Sequence, residues 1–312
     1  MRKQAARLFP DSEEEQAQFL NSLLVPAKER QSAVIWTSAD APTKDGLDIL
    51  PEKDLPSWLP ERISFLAPQV RVGKTSLFES GAIYPMDVSS IFTASAMLPV
   101  KAPRRVLDMC AAPGGKTLFA SVVLVPGLVV SNEVIGKRLG ILRHNLKKTG
   151  RPNLYTQSLD PAELASVAPE RFDLAIVDAP CSGQSLLAKG IDNPGCFHPN
   201  IIKGNAKRQI RILSKSSECV APGGYLFYST CTFARQENEG AIEKFLKKHD
   251  DFTPIEVPHL SEFESELSEF RSYRIYPHRE TGSGGFTCLL KKNGESKDLP
   301  ELPEALVQYP TI

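Results

Sequence analysis

From about residue 100 to residue 290 the chain alternates short apolar runs with amphipathic stretches of helical period. That alternation constrains the fold more than any other feature. The runs at 105–110 (RVLDMC), 128–133 (LVVSNE), 154–159, 172–177 (FDLAIV) and 225–230 read as strands. Between them the pattern predicts helices over 116–124, 137–148, 161–167 and 201–219. In 137–148, Leu139, Leu142 and Leu146 share the apolar face. A further helix over 236–248 groups Ala241, Ile242, Phe245 and Leu246, and 286–290 closes as a last strand. Strand alternating with helix is the signature of an α/β fold, a mostly parallel, doubly wound sheet covered on both faces. Ligands of such sheets bind beyond the carboxyl ends of the strands, so chemistry is expected there.

Residues 1–75 are less regular. The acidic run 11–15 opens a helix with Phe19, Leu20, Leu23 and Leu24 on one face, and 33–36 reads as a short strand. Pro26, Pro42, Pro51, Pro56 and Pro60 interrupt regular structure. The expected organisation is a small N-terminal accessory α/β domain over 1–75, a main domain over 76–292 and a flexible tail over 293–312.

Composition excludes some classes. With 37 basic and 37 acidic residues the net charge is zero, so nucleic-acid binding must rest on local patches. No stretch approaches the roughly 18 apolar residues that span a bilayer. Charged residues follow the basic N-terminus MRKQAARLFP where a secretory apolar core would sit, so a cytoplasmic protein with no membrane partner is expected. The six cysteines include no CxxC pair, which argues against structural zinc, and no metal is expected.

After the first strand comes Ala111-Ala112-Pro113-Gly114-Gly115-Lys116-Thr117. Glycines let a ligand approach the backbone, and the helix that follows presents free N–H groups. GxGxxG does not match, and the phosphate loop GxxxxGK[ST] fails at Cys110, which keeps an NTPase open as an alternative. Glu133 ends the second strand and suits a ribose diol; Asp160 ends the third and could reach an adenine edge or an adjacent hydroxyl. A Gly-rich loop with two successive acids describes a site for an adenosine-bearing cofactor without a triphosphate, and S-adenosylmethionine fits. The plain alternative is that both acids are solvated.

The fourth strand runs into Asp178-Ala179-Pro180-Cys181-Ser182-Gly183 and the fifth into Ser229-Thr230-Cys231-Thr232. In a parallel sheet both ends open on one crevice. Cys110, Cys196, Cys219 and Cys288 read as core filler. A thiol beside a methyl donor suits methylation at carbon 5 of a pyrimidine. A thiolate adding to carbon 6 makes carbon 5 an enamine carbon able to attack a methyl sulfonium. The adduct needs an acid at nitrogen 3, a role open to Asp178 with a raised pKa in a closed site. A base must then remove the carbon 5 proton. The residues alone do not say which thiol attacks.

DMCAAPGGKT (108–117), DAPCSG (178–183) and STCT (229–232), in that order, resemble the defining motifs of the Sun/Fmu-type (RsmB/NSUN-like) RNA 5-methylcytosine methyltransferases. QEN (236–238), YPMDVSS (84–90) and YPHRETGSGGF (276–286) add to the likeness, which covers roughly residues 80–290. The resemblance implies a Rossmann-like class I methyltransferase that takes S-adenosylmethionine. It makes Cys231 the nucleophile, gives Cys181 a later role in proton removal or product release, and brings Lys116 towards the target base. Its cofactor contacts fall on Cys110, Ala111, Ala112, Pro113, Gly114, Gly115, Lys116, Glu133, Asp160 and Asp178. The family usually carries Asp where Glu133 stands, and its N-terminal Pro-x-x-x-Arg-x-Asn stretch has only PAKERQS (26–32) as a counterpart.

Two basic segments could meet phosphates: Lys137, Arg138, Arg143, His144, Lys147, Lys148 and Arg151, and Lys203, Lys207, Arg208, Arg211 and Lys215. Phe197 and His198 lie on a loop that could cover a flipped base. The expected substrate is a cytosine in structured RNA, ribosomal RNA ahead of transfer RNA, acted on by a monomer. A non-catalytic RNA-binding assembly factor is the alternative of a different class, and retention of both thiols argues against it.

Overall fold

The structure, a computed structural model, describes every residue except 26–30, 39–46, 52, 54, 69, 280, 281, 296, 297, 311 and 312. The first five residues of PAKERQS and two residues of YPHRETGSGGF therefore lie outside the described residues.

Two helices open the chain, α1 (Arg2–Leu8) and α2 (Glu13–Leu24). The Ser12 side chain accepts from Glu15 N and caps α2, whose first turn carries Glu13, Glu14 and Glu15 next to the positive end of the helix dipole. Phe19 and Leu23 are buried, but Leu24 points to solvent and is not part of the apolar face expected for it. A small antiparallel sheet follows, β1 (Ser32–Trp36), β2 (Ile63–Leu66) and β3 (Ile83–Asp87), with the short helix α3 (Ser76–Glu79) ahead of its last strand. Strand order is β2-β1-β3, so Pro85 lies on an edge strand, where its missing N–H is tolerated.

After α4 (Val88–Ser95) the large sheet begins. In order come β4 (Arg105–Asp108), α5 (Gly115–Phe119), β5 (Leu128–Asn132), α6 (Gly136–Lys148), β6 (Leu154–Gln157), α7 (Pro161–Val167) and β7 (Phe172–Asp178). Then come α8 (Ser185–Ala188), α9 (Pro199–Cys219), β8 (Val220–Thr230), α10 (Glu239–Leu246), β9 (Phe252–Pro254), β10 (Tyr273–Ile275) and β11 (Gly285–Lys292). Strand order is β10-β11-β8-β7-β4-β5-β6, with β9 paired to β11. Strands β4 to β8 are parallel, and β11 runs antiparallel beside β8. Chain order reverses between β4 and β7, and that switch point opens the crevice.

Alternate residues of each strand feed two cores. Val106, Val129, Leu174, Ile176 and Phe227 face α4, α5 and α6 through Phe92, Leu118, Phe119 and Leu142. Leu107, Val130, Ala175, Val177 and Tyr228 face α7, α9 and α10 through Leu164, Leu213 and Phe245. Both faces are covered, which makes the fold doubly wound.

Three parts differ from the expected organisation. The strand β3 lies past residue 75, and Ala33, Ile35, Phe65 and Met86 of the small sheet share a core with Val88, Phe92 and Leu118 of the main domain. The helices α1 and α2 instead pack on the other side of the crevice, where Phe19 meets Phe233 and Phe9 meets Tyr276 with ring centres 5.0 Å apart in each pair. The first 75 residues therefore share cores with the main domain at two places. The tail, expected as a flexible end, lies against the edge strand β6: Gln157 Nε2 donates to Ala305 O at 2.9 Å, Tyr155 bridges to Pro310, and Leu306 is buried in the second core. One leucine inserted beside β6 anchors a segment that has no helical period to reveal it.

Candidate active site

The loop after β4 is built by hydrogen bonds from its neighbours. Ala111 N donates to Asn132 O at 2.9 Å, Arg138 Nη2 to Ala112 O at 2.6 Å, and Asn145 Nδ2 to Pro113 O at 2.8 Å. Gly114 turns the chain into α5 at φ 115°, a left-handed conformation that favours glycine. A Cβ there would lie 3.3 Å from both Leu142 and Leu146 of α6. Cys110 is half-buried, and burial, with Asp108 beside it, pushes its thiol up.

Two acceptors in this half have no hydrogen-bond donor among the described residues. Asp108 is fully buried; its Oδ2 accepts from Thr117 Oγ1 at 2.7 Å, and Oδ1 has no donor. Burial pushes this carboxyl up to about 7. Glu133, also buried, accepts from Ile135 N at 3.0 Å through Oε1. Its Oε2 lies 3.1 Å from Arg138 Nη1 as an ion pair but receives no hydrogen bond. Asp160 is different. It caps α7 by accepting from Ala162 N at 2.9 Å and pairs with Arg211 at 3.0 Å. The Ala162 N–H, then Arg211, hold its carboxyl below the usual carboxylate range.

Strands β7 and β8 bring the two thiols together. Cys181 Sγ and Cys231 Sγ are 3.3 Å apart. With Cys181 as donor, this bond holds Cys231 below the ordinary thiol range and, with burial, pushes Cys181 well above it. Asp178 does not stand as a free acid. Its Oδ2 is 2.8 Å from Lys116 Nζ, and its Oδ1 accepts from Ser229 Oγ at 2.8 Å. An ammonium placed this close makes Asp178 its counter-ion rather than the isolated acid expected. Lys116 is buried, with its head at the cavity rather than on the surface.

These groups line one cavity of about 520 Å³, together with Arg138 and residues from two other segments, Asp87 to Thr93 and Ser283 to Gly285. Gly284 passes so close to Phe233 that a Cβ would meet the ring at 2.5 Å. Of the residues expected to contact the cofactor, Ala112, Pro113, Lys116 and Asp178 line this cavity, whereas Cys110, Ala111, Gly114, Gly115, Glu133 and Asp160 do not.

A buried carboxylate holds the thiol loops in place. Glu237 Oε1 accepts from Ser182 N at 2.8 Å and Gln209 Nε2 at 3.0 Å, and Oε2 accepts from Ser182 Oγ. Ser182 Oγ also lies 2.7 Å from Thr232 Oγ1. The residues flanking Cys181 and Cys231 are thus tied to one side chain. Sequence reasoning noted QEN without giving Glu237 a task, and it missed Asp87, Lys189 and Ser283. The first and last of these sit inside the quoted YPMDVSS and GSGGF stretches, a signal that could have found them.

Half of the residues in the two basic segments are committed to structure. Arg143 donates to Thr156, Arg151 to Ser121 and to Thr37 O, and Lys148 lies 3.5 Å over the Phe78 ring. Arg211 pairs with Asp160 and Lys215 with Glu218. Lys137, His144, Lys147, Lys203, Lys207 and Arg208 are exposed. His198 caps α9 by accepting from Asn200 N, and Phe197 packs with the cluster beneath α1 and α2. Among the described residues no group of three or more His, Cys, Asp or Glu could hold a metal ion, and no helix is long and apolar enough to cross a membrane.

A parallel sheet with this strand order and a glycine turn at its switch point defines the Rossmann-like methyltransferase fold. Residues 95–291 match the family described as 16S rRNA methyltransferase RsmB/F. This chain belongs to that family. It is 30% identical over 248 residues to ribosomal RNA small subunit methyltransferase F of Serratia proteamaculans, covering 78% of this chain and 52% of the relative. The probable ribosomal RNA small subunit methyltransferase B of Bacillus subtilis is 31% identical over 228 residues, covering 72% and 51%. The chain thus spans about half the length of the curated relatives it matches. Among solved structures, NSun6 from Pyrococcus horikoshii with SFG superposes with a TM-score of 0.73 at 19% identity, over 94% of this chain and 98% of that one. A methyltransferase homolog protein from the same organism gives 0.74 at 23% identity, over 93% of each chain. These two likenesses speak to the fold.

Proposed function

We propose that this chain methylates carbon 5 of a cytosine in small-subunit ribosomal RNA, with Cys231 as the nucleophile and S-adenosylmethionine as the methyl source. The observation that carries this reading is the pair of sulfurs 3.3 Å apart, in one cavity with the Lys116–Asp178 ion pair.

The residues of the cofactor half fit the cofactor. Glu133 Oε2 is a buried acceptor awaiting a donor, which suits a ribose hydroxyl. In the loop 111–115, Pro113 has no N–H, Ala111 N is spent on Asn132 O and Gly114 N on Ala111 O, which leaves the Ala112 and Gly115 amides to take the cofactor's carboxylate. When bound, the cofactor supplies a methyl group activated on a sulfonium. Asp160, committed to Arg211 and the α7 cap, serves the site from outside the cavity.

Cys231, lowered by its bond from Cys181, adds as thiolate to carbon 6 of the base. Negative charge moves into the ring towards nitrogen 3 and oxygen 2. The Lys116 ammonium, steadied by Asp178, faces that charge. Once carbon 5 has taken the methyl group, its proton must leave. Once the Cys231 sulfur is bonded to carbon 6, Cys181 no longer donates to it and releases its own proton to solvent water; as thiolate it accepts the carbon 5 proton. Carbon 5–carbon 6 unsaturation returns and Cys231 leaves as thiolate. A thiol pushed well above the ordinary range is a strong base once deprotonated, which suits Cys181 to the later step.

The test is transfer of labelled methyl from S-adenosylmethionine into small-subunit RNA, both naked and in particles, with bisulfite mapping of the product. Label at carbon 5 of a cytosine is expected. Label elsewhere, or none in either substrate, would overturn the reading.

A further inference from the structure

A second ion pair borders the cavity, and the chemistry above does not use it. Lys189 Nζ lies 3.4 Å from Asp87 Oδ2. Asp87 is fixed from two other sides: its Oδ1 accepts from Ser89 N at 3.0 Å and from Ser283 Oγ at 2.9 Å. Three distant segments therefore converge on one carboxylate: the end of β3, the turn after α8 and the loop before β11. Asp87, Lys189 and Ser283 all line the cavity that holds Cys181 and Cys231.

We infer that Lys189, anchored by Asp87, is a positioning residue whose ammonium sustains the reactive thiolate form of Cys231. The inference deepens the proposed reaction and rests on the reading of Cys231 as nucleophile. The groups that act on this sulfur are Cys181, Asp178, Lys116 and Lys189. Cys181 acts first, as hydrogen-bond donor. Lys116 is tightly paired with Asp178 at 2.8 Å, so their opposite fields at the sulfur offset one another. Asp87 shares its charge with a backbone N–H and a hydroxyl, and its contact with Lys189 is looser. Lys189 directly follows α8, whose first residue, Ser185, donates its N–H to Cys231 O at 3.2 Å, so the helix carries the ammonium into the cavity that holds the thiol. A positive charge beside a thiol favours its ionised form.

The test is the rate at which iodoacetamide alkylates Cys231, followed by mass spectrometry of the peptide that carries it. It runs from about pH 5.5 to about pH 9.5, a range that spans the ordinary thiol pKa. Lys189→Met is expected to move the midpoint upward and cut the rate at pH 7 about tenfold, the size of one pKa unit. All forms should reach the same plateau at high pH, and Lys189→Arg should keep the wild-type profile. A purely structural role would lower the plateau as well. Superimposable profiles for wild type and Lys189→Met would overturn the inference, and a change in RNA affinity alone would make Lys189 a phosphate contact instead. Methyl transfer by Cys231→Ser separates the two claims. Full activity in that variant, with the alkylation shift intact, would remove the nucleophile and leave Lys189 acting on the thiol.

Discussion

The two halves of the crevice each bury a carboxyl, and they treat it differently. At the end of β4, Asp108 receives one hydrogen bond, from Thr117, and its second oxygen has none among the described residues. Across the switch point, Glu237 receives three, from the Ser182 amide, the Ser182 hydroxyl and Gln209. The half assigned to the cofactor keeps an open acceptor on Glu133. In the thiol half both Glu237 oxygens find donors within the protein. An unsatisfied buried acceptor is costly unless a ligand completes it, whereas a satisfied one fixes geometry. The comparison separates a surface shaped to receive donors from one shaped to hold two sulfurs 3.3 Å apart.

The largest effect expected from this contrast is a pH dependence. Asp108 ionises at about 7 in the folded chain against an ordinary value of 3.8. The folded state therefore holds a proton that the unfolded chain has lost between those values. The resulting stability is fully present below 3.8 and is lost as pH rises to about 7. The full amplitude is about 4 kcal/mol. Asp108→Asn, which cannot ionise, should flatten that slope in urea unfolding curves taken across the window. An unchanged slope would mean that Asp108 is not stored neutral.

Next in size is Glu237→Ala, which strands three donors in the core of the thiol half. It should cost about 3 kcal/mol in urea unfolding, the sum of two or more buried groups left unpaired. Glu237→Gln should cost less, since Gln keeps one acceptor. Equal stability of wild type and Glu237→Ala would break the claim that this network is a rigid support.

The smallest effect lies on the open side. Glu133→Ala should weaken S-adenosylmethionine binding by about 1–3 kcal/mol in calorimetry, the cost of an unpaired buried group. Asp160→Ala, which removes a half-exposed pair with Arg211, should change that affinity by less than about 1 kcal/mol. Equal losses would bring Asp160 into direct cofactor contact and blur the distinction.

Neither Asp108 nor Glu237 had a task assigned from the sequence, but much of the fold that carries the contrast could be read there, for identifiable reasons. Strands β4, β5 and β7 carry short apolar runs, and each chemically important strand end has a short local motif. The pairing of Val220 with Phe172, ahead of Pro222-Gly223-Gly224, was hidden because those residues signal a turn. The helix α4 was hidden because Ser89, Thr93 and Ser95 are buried on it, their hydroxyls satisfied by hydrogen bonds of their own, so its polarity pattern has no helical period. The short strands β9 and β10 are three residues each, too brief for a period to appear. At the site, the thiols and the glycine turn were legible because each sits within one motif. The Lys189–Asp87 pair was not, since the partners lie far apart in the chain and meet only through the fold.

The most direct test of the central claim is a denaturing gel of enzyme incubated with its RNA and S-adenosylmethionine. Cys181→Ala should accumulate a slow-migrating covalent protein–RNA species, because addition proceeds and release does not. Adding Cys231→Ser to that variant should abolish the species. An adduct that persists without the Cys231 sulfur would contradict the account and move the nucleophile elsewhere.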